Sequence, residues 1–140
     1  MKLAGAQIVL DTNILVHWMR GGDAGAQLRS DYELGTRRPR PIIPVVVKAE
    51  IKSLALQFAW GTDKQLALDE LLRQIPIADI SSEPVVQAYA RIDVESRKVG
   101  RRMGKNDLWI AALASFDHLH PGAVRVEYVD AASLMTVPRL

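Results

Sequence analysis

Residues 8–13 read Ile-Val-Leu-Asp-Thr-Asn, and few stretches of this length restrict a fold so tightly. Three apolar β-formers run straight into an acid. Two small polar residues follow, and Ile14, Leu15 and Trp18 then take up helical spacing. A buried strand therefore passes directly into a helix, the junction on which an α/β sheet is built. In such sheets the crevice beyond the carboxyl ends of the strands is where ligands sit. Stability alone is a poor reason to place a carboxylate there, so Asp11 is the first candidate metal ligand.

The rest of the chain alternates in the same way. Thr12 or Asn13 is placed to cap a helix that runs to about Arg20 and stops at Gly21-Gly22. A second helix covers about Asp23 to Leu34, and a basic, proline-bearing connection, Gly35–Pro41, leads to a short strand at Ile42-Ile43. Val47, Ile51, Leu54 and Phe58 recur at i, i+4, i+7 and i+11, which predicts the buried face of a helix over 45–60 with Glu50 on its edge. A helix from Thr62 or Asp63 to about Gln74 and a third strand at Ile75–Ile80 follow. Ser81-Ser82-Glu83-Pro84 opens the next helix, with Val85, Tyr89, Ile92, Ser96 and Val99 inward as far as Gly100. Asn106 is a good cap for a helix through Ala114; Ala123–Val129 reads as a fourth strand, and Met135–Val137 as a short edge strand. Strands alternating with helices predict one domain over residues 1–140. Its class is α/β, a three-layer α/β/α sandwich with a short, mostly parallel sheet. A chain of 140 residues buries roughly 68–70% of its unfolded surface, enough for such a core.

Composition removes several classes of function. There is no cysteine, so disulfides, thiolate zinc sites and a cysteine nucleophile are excluded. The apolar stretch Leu3–Leu10 is cut off by Asp11, too soon for a signal peptide, and no run reaches the ~18 apolar residues of a membrane span. A cytoplasmic protein that does not enter a membrane is expected. Net charge is only +2, but it is unevenly distributed. Arg37, Arg38 and Arg40 form one basic cluster, and Arg97, Lys98, Arg101, Arg102 and Lys105 form another. Either is a solvated surface or a set of phosphate contacts.

Other carboxylates occupy places comparable to that of Asp11. Asp130 follows the fourth strand, Asp107 opens a helix, and Glu50 stands near the second turn of its own. Strand ends and following helix starts share one edge of a parallel sheet, so Asp11, Glu50, Asp107 and Asp130 are expected to converge. Two carboxylates ~5 Å apart at an effective dielectric of ~20 repel by roughly 3 kcal/mol. Either some protonate or a divalent cation neutralises them. An all-oxygen ligand set suits Mg²⁺ or Mn²⁺, which can turn water into a nucleophile for phosphodiester hydrolysis. The plainer readings are a helix-dipole residue for Asp107, a pairing with Lys48 or Lys52 for Glu50, and a turn residue for Asp130.

Three blocks of the chain resemble a known family. Val9-Leu10-Asp11-Thr12-Asn13-Ile14-Leu15, Val47-Lys48-Ala49-Glu50-Ile51 and Gly104-Lys105-Asn106-Asp107-Leu108-Trp109-Ile110-Ala111-Ala112 look like the motifs of PIN-domain ribonucleases. The resemblance is closest to the VapC toxins of toxin–antitoxin pairs and covers essentially the whole chain. It implies a Mg²⁺- or Mn²⁺-dependent endoribonuclease, restrained by a small cognate antitoxin protein and often a homodimer. Carried over, Asp11, Glu50 and Asp107 are the acidic metal-site residues, supported by Thr12 or Asn13. The last block departs from the pattern. Where the family has a Thr-x-Asp or Thr-x-Asn turn and then an aromatic, this chain has Tyr128-Val129-Asp130 and then Ala131-Ala132. Asp130 takes the acidic place, with Glu127 as the alternative.

The resemblance gives the second basic cluster a purpose. Arg97, Lys98, Arg101, Arg102 and Lys105 would screen an RNA backbone from the carboxylates. The first cluster suits RNA or an acidic antitoxin segment equally. His118 and His120 read as solvated, and Trp18, Trp60 and Trp109 as packing residues. A haloacid-dehalogenase-like phosphatase needs a second aspartate where Asn13 stands, and a response-regulator receiver needs an acidic pair that is absent. The rival from another class is a catalytically impaired PIN-like module that binds RNA or protein, suggested by the altered block at Asp130.

Overall fold

The computed structural model describes Gly5, residues 7–20 and 22–115, and the backbone of 126–129. β1 (Gln7–Leu10) is buried along its whole length and leads directly into α1 (Thr12–Arg20). Then come α2 (Gly22–Tyr32), β2 (Ile43–Pro44), α3 (Val45–Gln57), α4 (Thr62–Gln74) and β3 (Ile77–Ala78). α5 (Glu83–Lys98), α6 (Lys105–Ala114) and β4 (Val126–Val129) complete the order. Helices thus make up most of the described chain around a short sheet.

Among the described residues every strand pairing is parallel. β1 pairs with β4, with Leu10 opposite Val129, and β2 pairs with β3. The two pairs are joined where Ile42 N–H donates to Ile8 O at 2.9 Å and Leu10 N–H donates to Ile42 O at 3.0 Å. The spatial order is therefore β4-β1-β2-β3. The chain steps outward from β1 to β2 and β3, then returns to the other side of β1. The switch point lies between β1 and β4, and their carboxyl ends open there on one edge. α6 touches β1, β2 and β4, while α3 touches β2, α1 and α6. The α/β class with a short parallel sheet is as expected.

The core is aliphatic: Ile8, Val9, Leu10, Ile14, Leu15, Ile43, Val47, Ile51 and Leu113 are buried, each contributing about 1.5–3 kcal/mol by leaving water. Two helix faces differ from the spacing argument. Leu54 is only half-buried and Phe58 is 69% exposed, because α3 stops at Gln57 and the chain turns away through Ala59 at positive φ. Ala55 takes the inner position instead. Val99 is likewise 73% exposed, since α5 ends at Lys98 and Gly100, at φ 76°, reverses the chain. The third strand shrinks to two residues because β2 offers only Ile43 and Pro44 to pair with. Of the fourth strand, Val126–Val129 is described; the expected edge strand at 135–137, His118 and His120 lie outside the described residues.

Arg37 does not belong to a solvated cluster. It is 2% exposed, donates a guanidinium N–H to Tyr32 O at 2.9 Å, and burial pushes its pKa down against opposing pulls from Glu33 and Tyr32. Its backbone N–H donates to Glu33 O at 2.8 Å, so side chain and main chain together close the turn after α2. Arg38 and Arg40 remain exposed. Trp109 packs on Tyr89 with ring centroids 4.3 Å apart, and Trp18 and Trp60 pack partly buried against the core.

Candidate metal centre

Asp11 is 7% exposed and its Oδ1 accepts the N–H of Ile14 at 2.9 Å. Asp11 is thus itself the cap of α1, a role the sequence reading gave to Thr12 or Asn13. The helix starts at Thr12, one or two residues earlier than that reading assumed. A buried carboxylate costs free energy unless it is bonded, and the helix N-terminus offers both donors and a positive partial charge. Thr12 Oγ1 is buried and has no hydrogen-bond partner among the described residues, and Asn13 is exposed.

Glu50 stands in the second turn of α3, half-buried, and accepts a hydrogen bond from Asn106 Nδ2 in the first turn of α6. This bond joins residues 56 apart in sequence and ties the starts of two helices together. Asn106 is therefore not the cap of α6; Gly104 holds that place without a side-chain bond. The pairing of Glu50 with Lys52 does not form, because Lys52 reaches Asp69 on α4 at 3.8 Å. Glu50 and Asn106 line an open groove with Val46, Ala49, Ser53, Leu54 and Gln57.

Asp107, in the first turn of α6, is exposed. A Cβ at Gly104 would meet its Oδ2 at 3.6 Å, an ordinary van der Waals contact. Asp11, Glu50 and Asp107 thus all stand near helix starts, on α1, α3 and α6. Contacts of α3 with α1 and α6, and of α6 with β1, bring these helices together. Among the described residues, no three acidic or histidine side chains stand close enough to hold one ion. The acids share an edge rather than a closed cage. Asp130 lies outside the described residues, and so does the side chain of Glu127. The register nevertheless sets Leu10 beside Val129, the residues that precede Asp11 and Asp130 in sequence. The donors on this edge are carboxylate, amide and hydroxyl oxygens, which fit a hard divalent cation, and the unpartnered Thr12 hydroxyl adds one beside Asp11.

The second basic cluster leads into this edge. Arg97, Lys98, Arg101, Arg102 and Lys105 are all exposed. Arg97 is engaged by Asp93 at 3.0 Å, one turn back on α5. The Arg101 N–H donates to Ser96 O at 2.8 Å, which holds the base of the segment before it runs to Gly104. Asn106, bonded to Glu50, is the residue of the candidate centre that sequence reasoning missed. Its place directly before Asp107 was the available signal, and its favourable capping chemistry concealed it.

A PIN domain family model matches residues 8–130 of the chain. Among solved structures, the chain is similar to VapBC2 from Rickettsia felis bound to a DNA fragment from their promoter. Identity is 23%, coverage is 88% of this chain and 98% of that one, and the TM-score is 0.67. It is also similar to VapBC-1 from nontypeable Haemophilus influenzae, at 20% identity, 91% and 89% coverage and a TM-score of 0.66. VapBC-5 from Mycobacterium tuberculosis, a member of the VapBC family of toxin–antitoxin systems, is 26% identical over 90% and 99% of the two chains, with a TM-score of 0.59. No curated protein matches.

Proposed function

The chain belongs to the PIN domain family, and on that premise we propose that it is a metal-dependent endoribonuclease, the toxin of a toxin–antitoxin pair. The observation that carries the reading is that Asp11 caps α1, Glu50 stands in the second turn of α3 and Asp107 in the first turn of α6, with Glu50 bonded to Asn106 beside Asp107. Asp11, Glu50 and Asp107 would hold Mg²⁺ or Mn²⁺, with Asp130 as the fourth acid and Thr12 and Asn13 beside Asp11. A hard cation bound there supplies an activated water and neutralises charge at the leaving oxygen. Asp11 contributes a carboxylate already fixed by the α1 N-terminus, so little ordering is left to do on binding. Asn106 aims the Glu50 carboxylate, and the exposed Asp107 completes the set from α6. Arg97, Lys98, Arg101, Arg102 and Lys105 contact the phosphates on either side of the scissile bond, and exposed basic groups suit that task because they release counterions.

The similarity to toxin–antitoxin complexes supports a cognate antitoxin partner, and the reading includes a homodimer acting in the cytoplasm as one domain. Among the described residues no helix is long and apolar enough to cross a membrane. A second reading, a PIN-like binding module with impaired catalysis, draws on the open arrangement of the acids. One experiment separates the two. The purified chain is expected to cleave RNA with Mg²⁺ or Mn²⁺ and to stop with EDTA, while Asp11→Asn is folded and inert. RNA binding without any cleavage in either metal would select the module, and cleavage that survives EDTA would refute the metal mechanism.

A further inference from the structure

On the edge opposite to Asp11 a second basic feature has formed from residues far apart in sequence. Arg38 and Arg40 from the segment before β2 and Arg73 from the last turn of α4 line one pocket of about 360 Å³. Trp18, Leu34, Pro41 and Ile75 supply its apolar walls. These residues precede β2 and β3, whereas Asp11 follows β1, and all three strands are parallel. Trp18 stands seven residues beyond Asp11, or ~10 Å along the helix axis at 1.5 Å per residue.

We propose that this pocket is a phosphate-binding exosite, in which Arg38, Arg40 and Arg73 grip the RNA backbone away from the point of cleavage. Three features carry it. The described lining contains three guanidinium groups and no carboxylate, and guanidinium is the side chain best matched to phosphate. Walls of low dielectric around charge of one sign focus the field on whatever enters. The segment is also held in place from both ends. Buried Arg37 fastens it to Tyr32 O, and the Gln7 amide donates to Arg40 O at 2.6 Å, tying it to β1. Arg38 is set by its own bond to Arg37 O at 2.9 Å. Glu70, beside Arg73 at 3.4 Å, forms an exposed pair that a phosphate can displace.

The proposal rests on RNA as the substrate, and its test keeps the two apart. Full-length Asp11→Asn protein is titrated with single-stranded RNA across a salt series, with and without Arg38→Gln, Arg40→Gln and Arg73→Gln together. The triple change is expected to lower the slope of log affinity against log salt by about 2, at ~0.7 per phosphate contact on a single strand. Lysine at the same three positions retains the charge and restores most of the slope, which rules out a folding defect. On an otherwise wild-type chain, cleavage of an oligonucleotide too short to reach the pocket is expected to be unchanged by the triple change. An unchanged slope in a chain that still cleaves RNA overturns the exosite and leaves the nuclease reading standing. A pocket-dependent slope in a chain that never cleaves does the reverse. Unchanged RNA binding with lost binding of the cognate antitoxin would assign the pocket to an acidic protein segment and also overturn the proposal.

Discussion

Asp11 holds two positions at once, cap of a helix and first acid of the candidate centre, and a pair of substitutions separates them. Asparagine caps a helix about as well as aspartate, whereas alanine costs about 1 kcal/mol. Asp11→Asn is therefore expected to unfold at nearly the wild-type denaturant concentration, and Asp11→Ala measurably earlier, with RNA cleavage lost in both. Asn106 is expected to act through Glu50. Removing the amide in Asn106→Ala frees the carboxylate it orients, and loss of such a supporting contact typically weakens metal affinity 10–100-fold. The metal concentration needed for half-maximal cleavage should rise accordingly, and an unchanged requirement would make the bond purely structural. Asp79 offers a pH readout away from the site. The Ser81 hydroxyl and then the Ser81 N–H hold its carboxyl below the ordinary carboxylate value. A carboxyl lowered by folding stabilises above its unfolded pKa, and that contribution is lost as pH falls through the folded value. Ser81→Ala should return the Asp79 titration, followed by NMR, toward the ordinary value.

At the scale of elements, α1 and α2 approach closely, and a Cβ on Gly25 would lie 2.6 Å from the His17 carbonyl oxygen. That oxygen belongs to helix backbone and cannot move aside, so Gly25→Ala is expected to cost about 1–3 kcal/mol in a denaturation curve. Ala59, at φ 50° between α3 and α4, presents the opposite case. A non-glycine residue there costs roughly 1–2 kcal/mol, and Ala59→Gly should recover part of it as a higher unfolding midpoint. These two positions also mark the limit of what the sequence discloses. β1 and α1 are legible because three buried β-formers and a helical repeat abut at Asp11, so local pattern and burial agree. The inward face of α3 is only partly legible: periodicity selects Phe58, but the chain leaves the helix one residue before it. Whether Asn106 caps its own helix or reaches Glu50 depends on where α3 lies, and no local pattern encodes that. Arg37 reads as one of a solvated trio because its burial is decided by the turn that it closes.

Across the whole molecule, the order β4-β1-β2-β3 sends basic segments to two edges, one beside the acids and one behind them. Replacing Arg101 and Arg102 with alanine is expected to weaken RNA binding and to reduce its salt slope by about 1.4, two contacts at ~0.7 each. An unchanged slope would return the segment to plain solvent exposure. The same topology has a consequence for variants that remove charge. α1, α3 and α6 all begin near the acidic edge, so the positive ends of the three helices border the same space. Carboxylates are what keep that space from attracting anions. Once Asp11, Glu50 or Asp107 becomes an amide, a nuclease edge turns into a cradle for phosphate, and the inert protein should let go of RNA more slowly than the active one.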